Sequence, residues 1–230
     1  MAQKSIAALT SGGTLSDVTL NASVTSTVGS DYDTGNATFY GKGISESRVD
    51  FSLNASGVRS DVRNVATGTP GGAWETKGGT PTPFAPHNCW TDASWFFPEL
   101  SSLTQTANPN FVFKYVGSEQ HGGVNTQHIR SYQLPPSGLK NSPISSLTTM
   151  DFYLDAVSLL PIAIGFQSHP DNNMGTNLPA EIDFANYQSV SGFQVPFHFQ
   201  QIFSGRVVFD VVVTSSSFNT GLPDSMFTLQ

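Results

Sequence analysis

The chain of 230 residues carries 10 Lys and Arg against 17 Asp and Glu, a formal net charge of −7, and has no basic cluster. That balance excludes the positive surface on which binding to nucleic acid or to an anionic membrane depends. Only 12% of residues are charged and Cys89 is the single cysteine, so Ser, Thr, Asn and Gln must supply the polar surface and no intrachain disulfide can form.

This composition is commoner among exported proteins than cytosolic ones. The length suffices for one large β domain with its own core, and a single domain over residues 1–230 is expected. No apolar run approaches the ~18–20 residues of a spanning helix, which argues against stable membrane insertion. The opening Met1–Leu9 has too short an apolar core for a signal peptide, so the protein is either cytosolic or the mature form of an exported one, and the composition favours the second.

In chain order, Lys4–Leu9 predicts one or two helical turns ending at Gly12-Gly13. Strand signals run from Val18 to Val28, and Phe39–Gly43 leads into an amphipathic strand, Arg48–Leu53. There Val49, Phe51 and Leu53 face one way, while Arg48, Asp50 and Ser52 face the other. Val58–Val65 returns, and a tight turn at Ser56-Gly57 would set Asp50 opposite Arg63. Residues 66–90 are rich in Gly, Pro and Thr around Trp74, Phe84 and Trp90. They read as a long functional loop or lid. Beyond it, Asp92 is placed to cap a helix from Ala93 with Phe96, Leu100 and Leu103 as its apolar stripe, or Pro98 to open a shorter one.

Strands resume at Phe111–Val116 and Thr126–Leu134, turning at Gly122-Gly123. A second loop, Pro135–Thr149, includes a single helical turn after Ser142-Pro143. Met150–Ala156 and Leu159–Gln167 pair next, before a polar loop, Ser168–Leu178. The last stretch, Pro179–Gln188, Gln194–Phe203 and Arg206–Ser217, reads as a meander turning at Ser191-Gly192 and Ser204-Gly205. Pairing about Ser204-Gly205 puts Phe197 and Phe199 on one face with Val208 and Val212, and Ile202, Val207, Phe209 and Val211 on the other. Two apolar faces require cover on one side and a lid, ligand or partner on the other. The prediction is a mainly β fold, a curved antiparallel sheet of about ten strands with a few short covering helices.

Among candidates for chemistry, His87, Cys89 and Asp92 share one loop. A thiol or hydrolytic enzyme would use Cys89 as nucleophile and His87 as its base. A metal reading of the same trio lacks a second ligand pair at zinc spacing, and the plainer account is a buried Cys beside a packed Trp. His169-Pro170-Asp171-Asn172-Asn173 is oxygen-rich but lacks calcium-loop spacing, and turn chemistry explains it. The Asn-x-Ser/Thr triplets at Asn21, Asn36 and Asn54 carry little weight in so Asn-, Ser- and Thr-rich a chain. No phosphate loop, dinucleotide fingerprint or Gly-x-Ser-x-Gly is present, and neither a cofactor nor a metal is expected. Trp90, Trp95, Phe96 and Phe97 sit on a loop and broken helix, a natural lid. With Leu100, Phe197 and Phe199 they are the candidate ligand-binding residues, and Pro98 and the Gly-rich 68–79 segment are candidate hinges. A surface protein assembling through open strand edges is the remaining alternative.

The succession "DFYLDAVSLLPIAIGF", "EIDFANYQSVSGFQVPFHFQ" and "GLPDSMFTL" resembles the bacterial lipoprotein-carrier (LolA/LolB-like) superfamily, mainly over residues 150–229. The matching residues are Asp155, Leu160-Pro161, Tyr187, Gly192, Pro196, Pro223 and Phe227. The resemblance implies an unclosed half-barrel whose short helices cover an apolar cavity. It also implies a periplasmic, non-enzymatic binder of a lipid or acyl chain. No Arg or Lys stands at a matching motif to serve as the basic residue that some carriers place in the cavity.

Overall fold

Tight turns organise the molecule, whose computed structural model describes every residue except Thr67, Gly138, Lys140, Asn141 and Gln230. At Gly122-Gly123, Ser191-Gly192 and Ser204-Gly205 both central residues have positive φ. That is the geometry whose twist matches the flanking strands of a two-residue hairpin. The strands are β1 (Asp17–Val28), β2 (Asp31–Lys42), β3 (Glu46–Leu53), β4 (Gly57–Ala66), β5 (Thr69–Thr76), β6 (Thr82–Pro83) and β7 (Phe111–His121). They continue with β8 (Val124–Gln133), β9 (Met150–Asp155), β10 (Pro161–Ser168), β11 (Leu178–Val190), β12 (Phe193–Phe203) and β13 (Arg206–Phe218). All thirteen join one sheet in the order β6-β5-β4-β3-β2-β1-β13-β12-β11-β10-β9-β8-β7. Its strands β6 and β7 stand at opposite edges, so the sheet is not closed into a barrel.

The chain path explains how one face is covered. From β1 at the sheet centre it steps outward to β6, then crosses to the opposite edge and returns through β7 to β13, which pairs with β1. The crossing segment, residues 84–110, has to lie over one face of the sheet. It does so as short 3-10 turns at Pro86–Cys89, Pro98–Leu100 and Ser102–Ala107. Pro98 opens the second of these, as one of the two sequence readings has it, and no helix starts at Ala93. Helix α1 (Ala2–Thr10) packs on the same segment and on β12. It ends at Ser11 in the left-handed conformation, whose N–H closes on Ala7 O at 3.0 Å. A single turn, α2 (Ile144–Leu147), follows Pro143.

Four expectations are corrected. The stretch 66–90 is not an irregular loop: β5 pairs with β4 from Thr69 opposite Ala66 to Thr76 opposite Arg59, and β6 follows. Gly71 and Gly72 hide this strand from a propensity reading. A Cβ on Gly72 would stand 2.5 Å from Val62 O and 2.9 Å from the Phe84 ring, so the glycine permits close packing and is no hinge. Thr67 in that stretch, and Gly138, Lys140 and Asn141 in the loop 135–149, lie outside the described residues. The β3–β4 turn spans Asn54–Ser56, which places Asp50 opposite Ser60 and Arg63 opposite Ser47.

The fourth correction concerns the β12–β13 hairpin. Ile202 lies opposite Val207 but Gln201 opposite Phe209, so Val208 is an extra, bulged residue. One inserted residue reverses the facing of everything beyond it. Phe209, Val211 and Val213 therefore join Phe199 on the covered face. The outer face instead carries His198, Gln200 and Asp210, with His198 Nε2 3.0 Å from Asp210 Oδ1. The hairpin is not apolar on both faces.

Candidate ligand site on the covered face

Aromatic side chains fill the middle of the covered face. Phe39 of β2 lies at the centre, its ring 5.1 Å from Phe96, 5.3 Å from Phe199 and 6.2 Å from both Phe51 and Trp95. Offset, edge-to-face contacts of this kind add to plain area burial. Phe96, Phe97, Leu100 and Phe199 are buried, and Trp95 and Phe197 are half-buried against the same cluster. The structure thus brings together six of the seven expected ligand-binding residues. Trp90 stands apart on a smaller cleft of about 180 Å³ that it shares with Arg63, Cys89 and Asp92. Phe39 was legible as a strand residue but gave no sequence signal of its central position.

Beside this plug is a cleft of about 230 Å³ walled by Val49, Phe51, Phe84, Trp95 and Phe209 on its apolar side. Arg59, Asp61 and Arg63 form the polar side, because β4 residues opposite Val49, Phe51 and Ser47 share their face. Arg59 is paired with Asp61 at 2.6 Å. Arg63 donates to Thr91 Oγ1 at 3.1 Å and lies 5.8 Å from the Phe84 ring centre. Among the described residues it forms no ion pair, and burial lowers its pKa. Sequence motifs placed no basic residue in the cavity; strand pairing does. At the other end of the covered face a second cleft, about 320 Å³, lies between Met1–Gln3 and Phe113, Tyr115 and Ile129.

The thiol-enzyme trio is not assembled. His87 Nε2 is 3.0 Å from Pro170 O, and the buried Cys89 thiol is directed at Ala85 O at 3.7 Å. Burial raises the Cys89 pKa, with Arg63 opposing, which is the reverse of nucleophile activation. Asp92 is buried too, accepting the Ser102 N–H at 2.7 Å, and burial lifts its pKa to about 6 against that hydrogen bond. Asn88 ties down the His169 loop, donating to His169 O and accepting the His169 N–H. Asn173 Oδ1 accepts the Gly175 N–H, so turn chemistry accounts for this loop. Glu99 is buried with both carboxylate oxygens lacking a hydrogen-bond partner among the described residues, and burial raises its pKa well above the usual range.

On the outer face, strands β7 to β11 gather a second set of ionisable groups that sequence reading missed. His128 lies 2.6 Å from Asp151, which also accepts from Arg130 at 2.8 Å. Its other nitrogen is 2.6 Å from Glu119, outside hydrogen-bond geometry. His121 is stacked on Tyr153 and reaches Glu181 at 3.1 Å. Burial, then the neighbouring carboxylates, lifts Tyr153 to about 12; burial, then Glu181, lifts Asp183 to about 6.

An open antiparallel sheet whose covered face is crossed by a broken, aromatic-rich segment is the LolA/LolB-like fold. The residues of the sequence resemblance act as its punctuation. Tyr187 donates to Pro161 O at 2.8 Å, Asp155 caps the turn at Val157 and Ser158, and Phe227 is buried. No protein-family model matches the chain, and no curated protein matches it in sequence. Among solved structures it is similar to a domain provisionally described as an outer membrane lipoprotein-sorting protein, from Vibrio parahaemolyticus. Identity is 14% and the TM-score 0.62, over 98% of this chain and 94% of that one. A LolA superfamily protein from Nitrosomonas europaea shares 12% identity at a TM-score of 0.60, over 99% and 96%. A DUF1329 family protein from Desulfovibrio piger shares 10% at 0.61, over 99% and 95%. At these identities the likeness is one of fold.

Proposed function

We propose that this protein is a non-enzymatic, exported carrier that holds the acyl chain of a lipid or lipid-modified partner on the covered face. The observation that carries this reading is the cleft beside the aromatic plug. It offers a wall of Val49, Phe51, Phe84, Trp95 and Phe209 for the chain, and the Arg63 guanidinium for an anionic headgroup. The fold neighbour described as a lipoprotein-sorting domain supports the same reading. Its 230 Å³ is below the roughly 300–1,000 Å³ of pockets that enclose drug-sized ligands, so the proposed carriage requires this cleft to widen. A longer chain enters by displacing Trp95, Phe96, Phe97 and Leu100 from between Phe39, Phe197 and Phe199. At about 25 cal/mol per Å² of apolar surface, the incoming chain regains several kcal/mol of the burial lost.

Native mass spectrometry of protein purified without detergent tests the reading, together with Trp fluorescence during titration with oleate, phosphatidylglycerol and a lysolipid. The expected result is a lipid-sized adduct and an emission change that Trp95→Phe abolishes. A protein that is empty and whose emission ignores all three lipids refutes the proposal.

A further inference from the structure

The outer face, away from the proposed lipid site, holds a group of side chains with a chemistry of its own. We propose that His121, Glu181 and Asp183 bind a divalent transition-metal ion of the zinc class. One nitrogen and two carboxylate oxygens from these residues all lie within 4.8 Å of one another, and His121 Nε2 is 3.1 Å from Glu181 Oε2. A tetrahedral ion with bonds of about 2.0–2.2 Å holds its ligand atoms about 3.4 Å apart, so modest side-chain rotation closes the set. An imidazole among the ligands favours zinc-like ions over calcium or magnesium, which take all-oxygen shells.

A second observation points to a ligand independently of the spacing. Asp183 is half-buried, and its Oδ1 atom is out of solvent with no N–H or hydroxyl donor among the described residues, the Glu181 carboxyl being the one group beside it that can share a proton. A desolvated acceptor without a donor is costly, and a bound cation supplies what it lacks. Asp183 and Glu181 stand two residues apart on one face of β11, so their charges also repel until a cation lies between them.

The surroundings hold the ligands in place. The His121 ring is stacked on Tyr153 at 3.7 Å between centroids and 15° between planes, which directs its Nε2 towards β11. Between β9 and β11, strand β10 presents only Ala163 opposite Asp183 and Gly165 opposite Glu181. A Cβ on Gly165 would stand 3.8 Å from Glu181 Oε2, so the low ground lies directly beneath the site. An open cleft of about 390 Å³ is walled by Tyr153, Gly165 and Glu181, so the Glu181 ligand borders solvent there. His121, Glu181 and Asp183 supply three protein ligands, with Glu119, Asp151, His128 and Arg130 as charged or titratable neighbours.

The test is isothermal titration of the full chain with zinc chloride at pH 7.5, alongside cobalt chloride followed by visible absorption. One equivalent of zinc should bind, and cobalt should give the intense band of a tetrahedral site. Since even outer-shell partners are worth about 10–100-fold in metal affinity, His121→Gln and Asp183→Asn should each weaken binding by at least about tenfold. His198→Ala, at the separate outer-face pair of His198 with Asp210, should leave it unchanged. Circular dichroism verifies that each variant is folded, and His121 near a hairpin tip makes its variant the safer of the two. Absence of binding, or equal binding by folded His121→Gln, or loss in His198→Ala instead, overturns the assignment. None of these outcomes depends on whether a lipid binds the covered face.

Discussion

Replacing Asp92 by Asn should stabilise the protein at neutral pH while leaving it unchanged in acid. The Asp92 carboxyl is buried beneath the crossing segment, and its Oδ2 accepts the Ser102 N–H at 2.7 Å. Burial outweighs that hydrogen bond and raises the pKa from 3.8 to about 6. Below pH ~4 the carboxyl is protonated in folded and unfolded chains alike, and nothing is lost. Between pH ~4 and 6 the unfolded chain releases its proton while the folded chain keeps it, so stability falls as pH rises. Above the folded pKa the full penalty applies, about 3 kcal/mol for a shift of this size. Asp92→Asn keeps an oxygen for Ser102 and never ionises. Urea unfolding of both proteins from pH 4 to pH 8 should give a stability difference near zero at pH 4 that grows to about 3 kcal/mol by pH 7.5. For a chain of this length that difference corresponds to a Tm gap of about 6–12 °C. Because all other titrations are common to both proteins, a difference independent of pH, or one favouring Asp92, would refute the reasoning.

Two further predictions address the covered face. Phe199→Ala removes a fully buried ring that touches Phe39, Trp95 and Phe184, and should cost about 3–5 kcal/mol in urea unfolding. A loss below about 1 kcal/mol would mean that the aromatic cluster is loosely packed. Glu99, buried and with no partner for either oxygen among the described residues, should hold its proton to a higher pH than an exposed carboxyl does. Its infrared protonated-carboxyl band should vanish in Glu99→Gln, and a spectrum without that band in the unaltered protein contradicts the assignment.

The legible parts of the molecule are those fixed by local chemistry. Ser191-Gly192, Ser204-Gly205 and Gly122-Gly123 announce their hairpins because few residue pairs accept positive φ, and the period-two pattern of Val49, Phe51 and Leu53 identifies a half-buried strand. Trp95 to Leu100 were recognisable as a covering segment because a broken helix so rich in aromatics has little use in solvent. Strand β5 was hidden because Gly71 and Gly72 carry no side chains to pattern, and the polar first half of β2 because it has few strand-favouring residues. The Val208 bulge escaped a simple alternation count, and with it the facing of Phe209 and Val211. Arg63 on the cavity wall depends on which turn closes β3 and β4. His121, Glu181 and Asp183 meet only because three intervening strands are laid side by side, a juxtaposition no spacing in the chain encodes.

The order of the strands also dictates how the sheet can assemble. Strands β1 to β6 form one run of neighbours and β7 to β13 another, each built from contacts close in sequence. The seam between the runs is the pairing of β1 with β13, where Val18 meets Phe218 across nearly the whole chain. Joining them requires the largest loop closure in the molecule, whose entropy must be lost before any seam contact rewards it. Folding is therefore expected to begin as two independent meanders, with the hydrogen bonds at the middle of the finished sheet among the last to form. Until that seam closes, both β1 and β13 expose a free strand edge, so the interval before closure is when partly folded chains are open to pairing with one another.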